Sequence, residues 1–105
     1  MKRKKRKPHA NSNENDAEHH LYEIFDVERD DIYKYGICGR PLLPDGSSPR
    51  ANVQVKLFNR VVGMVRFFAR ILLAGIPGRR RAKEIETDYI ETYRKKHGYP
   101  PPGNE

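Results

Sequence analysis

Gly63-Met64-Val65-Arg66-Phe67-Phe68-Ala69-Arg70-Ile71-Leu72-Leu73, residues 63–73, decides the fold, because it follows a helix and carries two periodicities at once. Leu57, Val61, Val65, Phe68 and Leu72 recur at steps of four and three, as in a helix continued through Gly63. Val65, Phe67, Ala69, Ile71 and Leu73 also alternate with Arg66, Phe68, Arg70 and Leu72, as in a strand, and Gly63 is a reasonable breaker between two elements. Local pattern alone leaves the two about even.

The flanking segments are plainer. Upstream, Ser48 is a plausible N-cap with Pro49 at the first helical position, so a helix should run to about Val62. Gly39 to Pro49 is rich in Gly, Pro, Asp and Ser and reads as a loop. Before it, Leu21 to Asp26 alternates in hydrophobicity and Ile32 to Cys38 is aromatic and β-branched, with a polar connection between them, which predicts a β-hairpin. Downstream, Ile76-Pro77-Gly78 closes the ambiguous element. Arg79 to Lys96 then places Ala82, Ile85, Tyr89, Ile90 and Tyr93 on one helical face, stopped by His97-Gly98 and followed by a Pro-rich tail. Residues 1–18 hold almost no large apolar side chain and read as a disordered basic and polar arm, leaving 19–105 as a single domain.

Charge is unevenly spread along the 105 residues. Met1 to Ala10 carries +6, Asn11 to Tyr33 carries −7 and Lys34 to Glu105 carries +8. A body with that excess attracts polyphosphate, so the expected partner is anionic, although solvated basic surfaces are common in proteins with no such partner. The single cysteine, Cys38, excludes an internal disulfide and a thiolate zinc site. His19, His20 and His97 show no metal-ligand spacing, the first two falling on opposite faces of a strand. Lys2 to Lys7 is not followed by an apolar h-region, so no Sec signal is expected. Val61 to Ile76, broken by Gly63, Arg66 and Arg70, falls short of the roughly 20 residues a membrane span needs.

Two strands, a loop, a helix, a strand, a helix and a Pro-Pro-Gly-Asn ending follow the order of a GIY-YIG (URI-fold) nuclease domain. His20-Leu21-Tyr22 stands where that family has Gly-Ile-Tyr, and Lys34-Tyr35-Gly36-Ile37-Cys38 where it has Tyr-x-Gly. Arg50 takes the place of the arginine that begins the first helix. Ala82-Lys83-Glu84-Ile85-Glu86 with Ile90 resembles its Ala-x-x-x-Glu-x-x-x-Ile helix. The chain from about His20 to Asn104 therefore resembles this family, and within it is similar to the URI-type toxin modules of bacterial polymorphic toxins. The resemblance implies an α+β fold with a small three-stranded antiparallel sheet flanked by helices, and it tips residues 64–73 toward a strand.

By that resemblance the chain is a metal-dependent endonuclease acting on DNA in preference to RNA, working in the cytoplasm of a target cell as a monomer and countered by an immunity protein. Glu86 would be the metal-binding carboxylate for Mg²⁺ or Mn²⁺. Hard cations of this kind prefer oxygen and keep several waters, so one acid suffices. Tyr22 would assist deprotonation of the attacking water if a neighbouring cation lowers its pKa, and Lys34 or Arg50 could be that cation. Lys34 stands where many members have a tyrosine and could stabilise phosphate or move a proton. Arg50 suits the transition state, since its fork donates two bonds to phosphate oxygens.

Further substrate contacts follow from the residues themselves. Arg66 and Arg70 share a face in either reading of their segment and are groove candidates. Arg79 opens a run of three arginines at a helix start, where an anion would relieve the opposition to the macrodipole. Tyr35 offers a stacking surface, and Asn104 could reach back to the site as a polar ligand. Two alternatives stand beside the nuclease: a non-catalytic nucleic-acid binder using the same arginines, and a partner-binding module in which Val61 to Leu73 forms an amphipathic helix for a protein groove or membrane interface.

Overall fold

The structure is a computed structural model that describes residues 15–105. Its elements are β1 (Glu18–Asp26), β2 (Asp31–Cys38), α1 (Pro49–Val62), β3 (Phe67–Pro77), α2 (Arg79–His97) and a short 3-10 turn at Pro102–Asn104. The three strands form an antiparallel sheet in the order β2-β1-β3, so the first strand is central and β2 and β3 are its edges. The result is the expected α+β architecture.

The competition over residues 63–73 is resolved as a strand, for two local reasons. Gly63 adopts φ 73°, a left-handed conformation that ends α1, with its N–H donating to the Asn59 carbonyl. The Asn59 side chain then takes hold of the departing chain: its Oδ1 accepts from the N–H groups of Arg66 (2.8 Å) and Phe67 (2.7 Å), and its Nδ2 donates to the Phe67 carbonyl. These bonds aim Phe67 at β1, where it pairs with Asp26. The amphipathic helix considered for Val61 to Leu73 is therefore not formed, and that docking mode has no element to use.

Period-two alternation in β1 divides the core. On one face Tyr22 and Ile24 pack with Cys38, Phe67 and Ala51 of α1, joined by Val55 and Phe58. On the other, Leu21 packs with Ile37, Ile76 and Ala82 of α2, joined by Ile85 and Tyr89. Ser48 caps α1 through its Oγ, which accepts from the Ala51 N–H and shares a 2.6 Å hydrogen bond with buried His20. That bond ties the start of α1 to β1. Asn15 and Ala17, assigned to the arm by composition, are bonded into the fold: their carbonyls accept from Arg79 N–H and Gly78 N–H. The rest of the proposed arm, residues 1–14, lies outside the described residues.

Asp26, fully buried, closes the β1–β2 turn by accepting from the Glu28 and Arg29 N–H groups and both nitrogens of the Arg66 fork, each of the latter at 2.8 Å. The Arg66 hydrogen bond, aided by those backbone donors, holds its carboxyl below the ordinary 3.8 against the opposing effect of burial. A carboxyl whose folded pKa lies below its unfolded one stabilises the fold fully above pH 3.8, and that stability is lost as pH falls through the folded value. Asp26→Asn is expected to lower stability at neutral pH while flattening the acid limb of a urea-denaturation pH series. An acid limb identical to wild type would exclude this role.

Candidate active site

Tyr22 lies in the central strand and is 1 % exposed, its ring lying across Gly36 of β2. A Cβ at Gly36 would overlap the Tyr22 ring, so the missing side chain is what lets the phenol reach its place. Its hydroxyl donates to Gln54 Oε1 of α1 at 2.9 Å. Gly36→Ala is expected to cost about 1–3 kcal/mol by overpacking and to push the phenol off Gln54. Thermal denaturation together with the Tyr22 NMR resonances would check it, unchanged spectra being the contrary result.

Lys34 projects on the same face, two residues from Gly36 and paired across the strands with Ile24. Arg50, in the first turn of α1, is steered by donating from Nη1 to the Ile37 carbonyl at 3.2 Å. Glu86, on α2, is 8 % exposed and its Oε1 accepts from Lys83 Nζ at 3.1 Å. The charges of these groups act on one another. Burial pushes the Tyr22 phenol up to about 12, with Glu86 adding to the rise and Arg50 opposing it. Burial also lowers the Lys34 ammonium, with Arg50 adding to the fall and Glu86 opposing it. The structure thus brings Tyr22, Lys34, Arg50 and Glu86 into one electrostatic group.

The sign of the Tyr22 shift corrects an expectation. A neighbouring cation was to depress the phenol, yet withdrawal from water outweighs Arg50, and Tyr22 remains a protonated hydrogen-bond donor. Lys34 is the member whose proton becomes easier to remove.

Beside Arg50 opens a cleft of about 430 Å³ lined by Arg40, Arg50, Gln54 and Arg79, with Cys38 and Gly39 at its wall. Arg79 thus joins the site as anticipated from its charge. Arg66 and Arg70 do not line this cleft. Arg66 is held by Asp26, and Arg70 Nη2 lies 2.6 Å from Glu23 Oε1, so each guanidinium neutralises a buried carboxylate of β1. Tyr35 follows Lys34 in the strand and therefore faces the other way, against Tyr89 of α2 at 5.4 Å between ring centroids. It cannot stack on a substrate held by Arg50. Asn104 does fold back, but onto the backbone: Oδ1 accepts from Tyr35 N–H at 2.8 Å and Nδ2 donates to Tyr35 C=O at 2.9 Å, completing the edge of β2 in place of a fourth strand.

Gln54 and Arg40 were missed by sequence reasoning. Gln54 lies one helical turn after Arg50, a spacing that puts both on the same face and was readable once Arg50 was singled out. Arg40 sits in the irregular loop, where no periodicity points to it.

Among the described residues no group of three or more His, Cys, Asp or Glu gathers in a metal-binding constellation. The donor set near Tyr22 and Lys34 is one carboxylate, Glu86. A lone carboxylate suits a hard cation that keeps most of its water shell and does not suit zinc, which seeks several nitrogen or sulfur ligands. Nor is any helix in the described residues long and apolar enough to cross a membrane.

No curated protein and no solved structure matches the chain. A family described as URI fold toxin 2 matches residues 12–98, taking in the sheet, both helices, Tyr22, Lys34, Arg50 and Glu86. With that match across most of its length, and with the sheet order and helices in place, the chain belongs to the URI-fold toxin family.

Proposed function

We propose that the chain is a nuclease that hydrolyses phosphodiester bonds of nucleic acid, DNA in preference to RNA, as the toxic module of a bacterial polymorphic toxin. The observation that supports it best is the grouping of one partly shielded carboxylate, Glu86, with a phenol, an ammonium and a guanidinium at the mouth of an arginine-lined cleft. Glu86 is the residue that would hold Mg²⁺ or Mn²⁺. When bound, such a cation acidifies water and neutralises charge on the phosphate oxygens.

The chain's own side chains supply the rest. Arg50 donates to a non-bridging oxygen of the phosphate under attack, with its orientation held by the Ile37 carbonyl. Tyr22 stays protonated and, fixed by Gln54, can exchange that hydrogen bond for one to a phosphate oxygen. Lys34, its ammonium lowered by burial and by Arg50, is placed to accept a proton from the attacking water or to return one to the leaving oxygen. As a toxin, the protein acts in the cytoplasm of its target cell, and its own cell's immunity protein would cover the basic cleft.

Incubation of the purified chain with plasmid DNA and with total RNA tests the reading. Cutting is expected with Mg²⁺ or Mn²⁺ and is expected to vanish in EDTA, returning when the metal is restored in excess. Salt-sensitive binding with no cutting under any metal would leave the non-catalytic binder instead.

A further inference from the structure

Arg40, Arg50 and Arg79 come from three separate segments, the loop after β2, the start of α1 and the start of α2, and all three line one cleft. None has a carboxylate partner among the described residues, whereas Arg66 and Arg70 each hold one at 2.8 and 2.6 Å. Three guanidiniums in one hollow repel one another, and Arg79 also opposes the positive end of its helix, whose first turn contains no acid. The Arg79 Nε–H is buried without an acceptor. A buried donor left unmade is costly, so an acceptor belongs there in the working state. Arg50 is oriented by the Ile37 carbonyl toward the Tyr22 and Lys34 group, leaving Arg40 and Arg79 on the side of the cleft away from it. The cleft volume of about 430 Å³ lies within the roughly 300–1,000 Å³ of ligand sites.

We propose that Arg40 and Arg79 form a second phosphate subsite, which grips the backbone phosphate adjacent to the one held by Arg50, so that the ligand is a polynucleotide strand with at least two consecutive phosphates. This rests on the nuclease reading above and adds to it a substrate requirement. Charge on one phosphodiester alone leaves two of the three guanidiniums uncompensated. A strand threading the cleft supplies the second anion at the repeat of its own backbone. Gly39 beside Arg40 keeps the wall of the cleft free of a side chain there.

The test uses a set of short single-stranded DNA oligonucleotides, each with one phosphate replaced by a neutral methylphosphonate, and measures their binding to the wild-type chain and to Arg40→Gln/Arg79→Gln in calcium. The position of the bond cut in magnesium is mapped separately on the unmodified oligonucleotide. At one position next to that bond, the neutral replacement is expected to weaken wild-type binding about 10- to 100-fold. The double variant is expected to show that loss on unmodified DNA and no further loss from the replacement. Its slope of log K against log salt is expected to fall by about 1 to 2, one for each phosphate contact removed. Equal sensitivity of wild type and variant at every position, or no position of special sensitivity in the wild type, would overturn the subsite. The wild-type arm needs no mutation, so a misfolded variant does not rescue the idea. Failure of the nuclease reading looks different: no bond is cut, while the position-specific binding loss remains.

Discussion

Replacing Glu86 by alanine is expected to reduce metal-dependent cutting by on the order of a thousandfold or more, equivalent to roughly 4 kcal/mol of transition-state stabilisation. Glu86 is the one carboxylate whose charge acts on both Tyr22 and Lys34, so no neighbouring acid in that group substitutes for it. Its loss has a second consequence: Lys34 keeps the lowering effects of burial and Arg50 but loses the opposing pull of Glu86. The fold should survive, because the pairing partner Lys83 is half exposed and returns to water. Binding should survive as well, since Arg40, Arg50 and Arg79 remain in the cleft. Gel assays of DNA cutting beside filter binding at graded salt read the two properties separately. Cutting by Glu86→Ala within tenfold of wild type would remove the carboxylate from the mechanism.

Asn59→Ala is expected to destabilise the fold by about 2–4 kcal/mol, because three hydrogen bonds disappear together and the Arg66 and Phe67 N–H groups lose their acceptor. These bonds turn the chain from α1 into β3 at the point where helical periodicity would otherwise carry on through Val65 and Phe68. The loss should be seen as a lower urea midpoint at an unchanged m-value, with circular dichroism reporting whether strand is exchanged for helix. A midpoint equal to wild type would show that Gly63 and the sheet pairing suffice without the side chain.

The site was legible where chemistry is tied to a motif and illegible where it depends on what a charge meets across the fold. Tyr22, Lys34, Arg50 and Glu86 were recognisable by their places in a family pattern, and the structure gathers them. Arg66 and Arg70 are adjacent candidates by spacing, but whether an arginine is free depends on Asp26 and Glu23, which lie 40 and 47 positions earlier in the chain. Tyr35 could have been set aside from the sequence, since its neighbour Lys34 already claims the other face of the strand. Asn104 shows the reverse: its return to the body was anticipated, but its partner, the open edge of β2, exists only after the sheet has formed.

By itself the sequence determined the hairpin, the capped start of α1 and the whole of α2, because alternation, a Ser-Pro start and an apolar stripe at helical spacing act over a few residues. Tertiary structure alone decided that residues 67–77 are a strand, since one apolar pattern satisfies both periods until the edge of β1 and the Asn59 amide supply partners for its backbone. It alone also decided which arginines stay unpaired. Sequence counts charges, whereas folding brings carboxylates to some of them and leaves the three in the cleft facing one another.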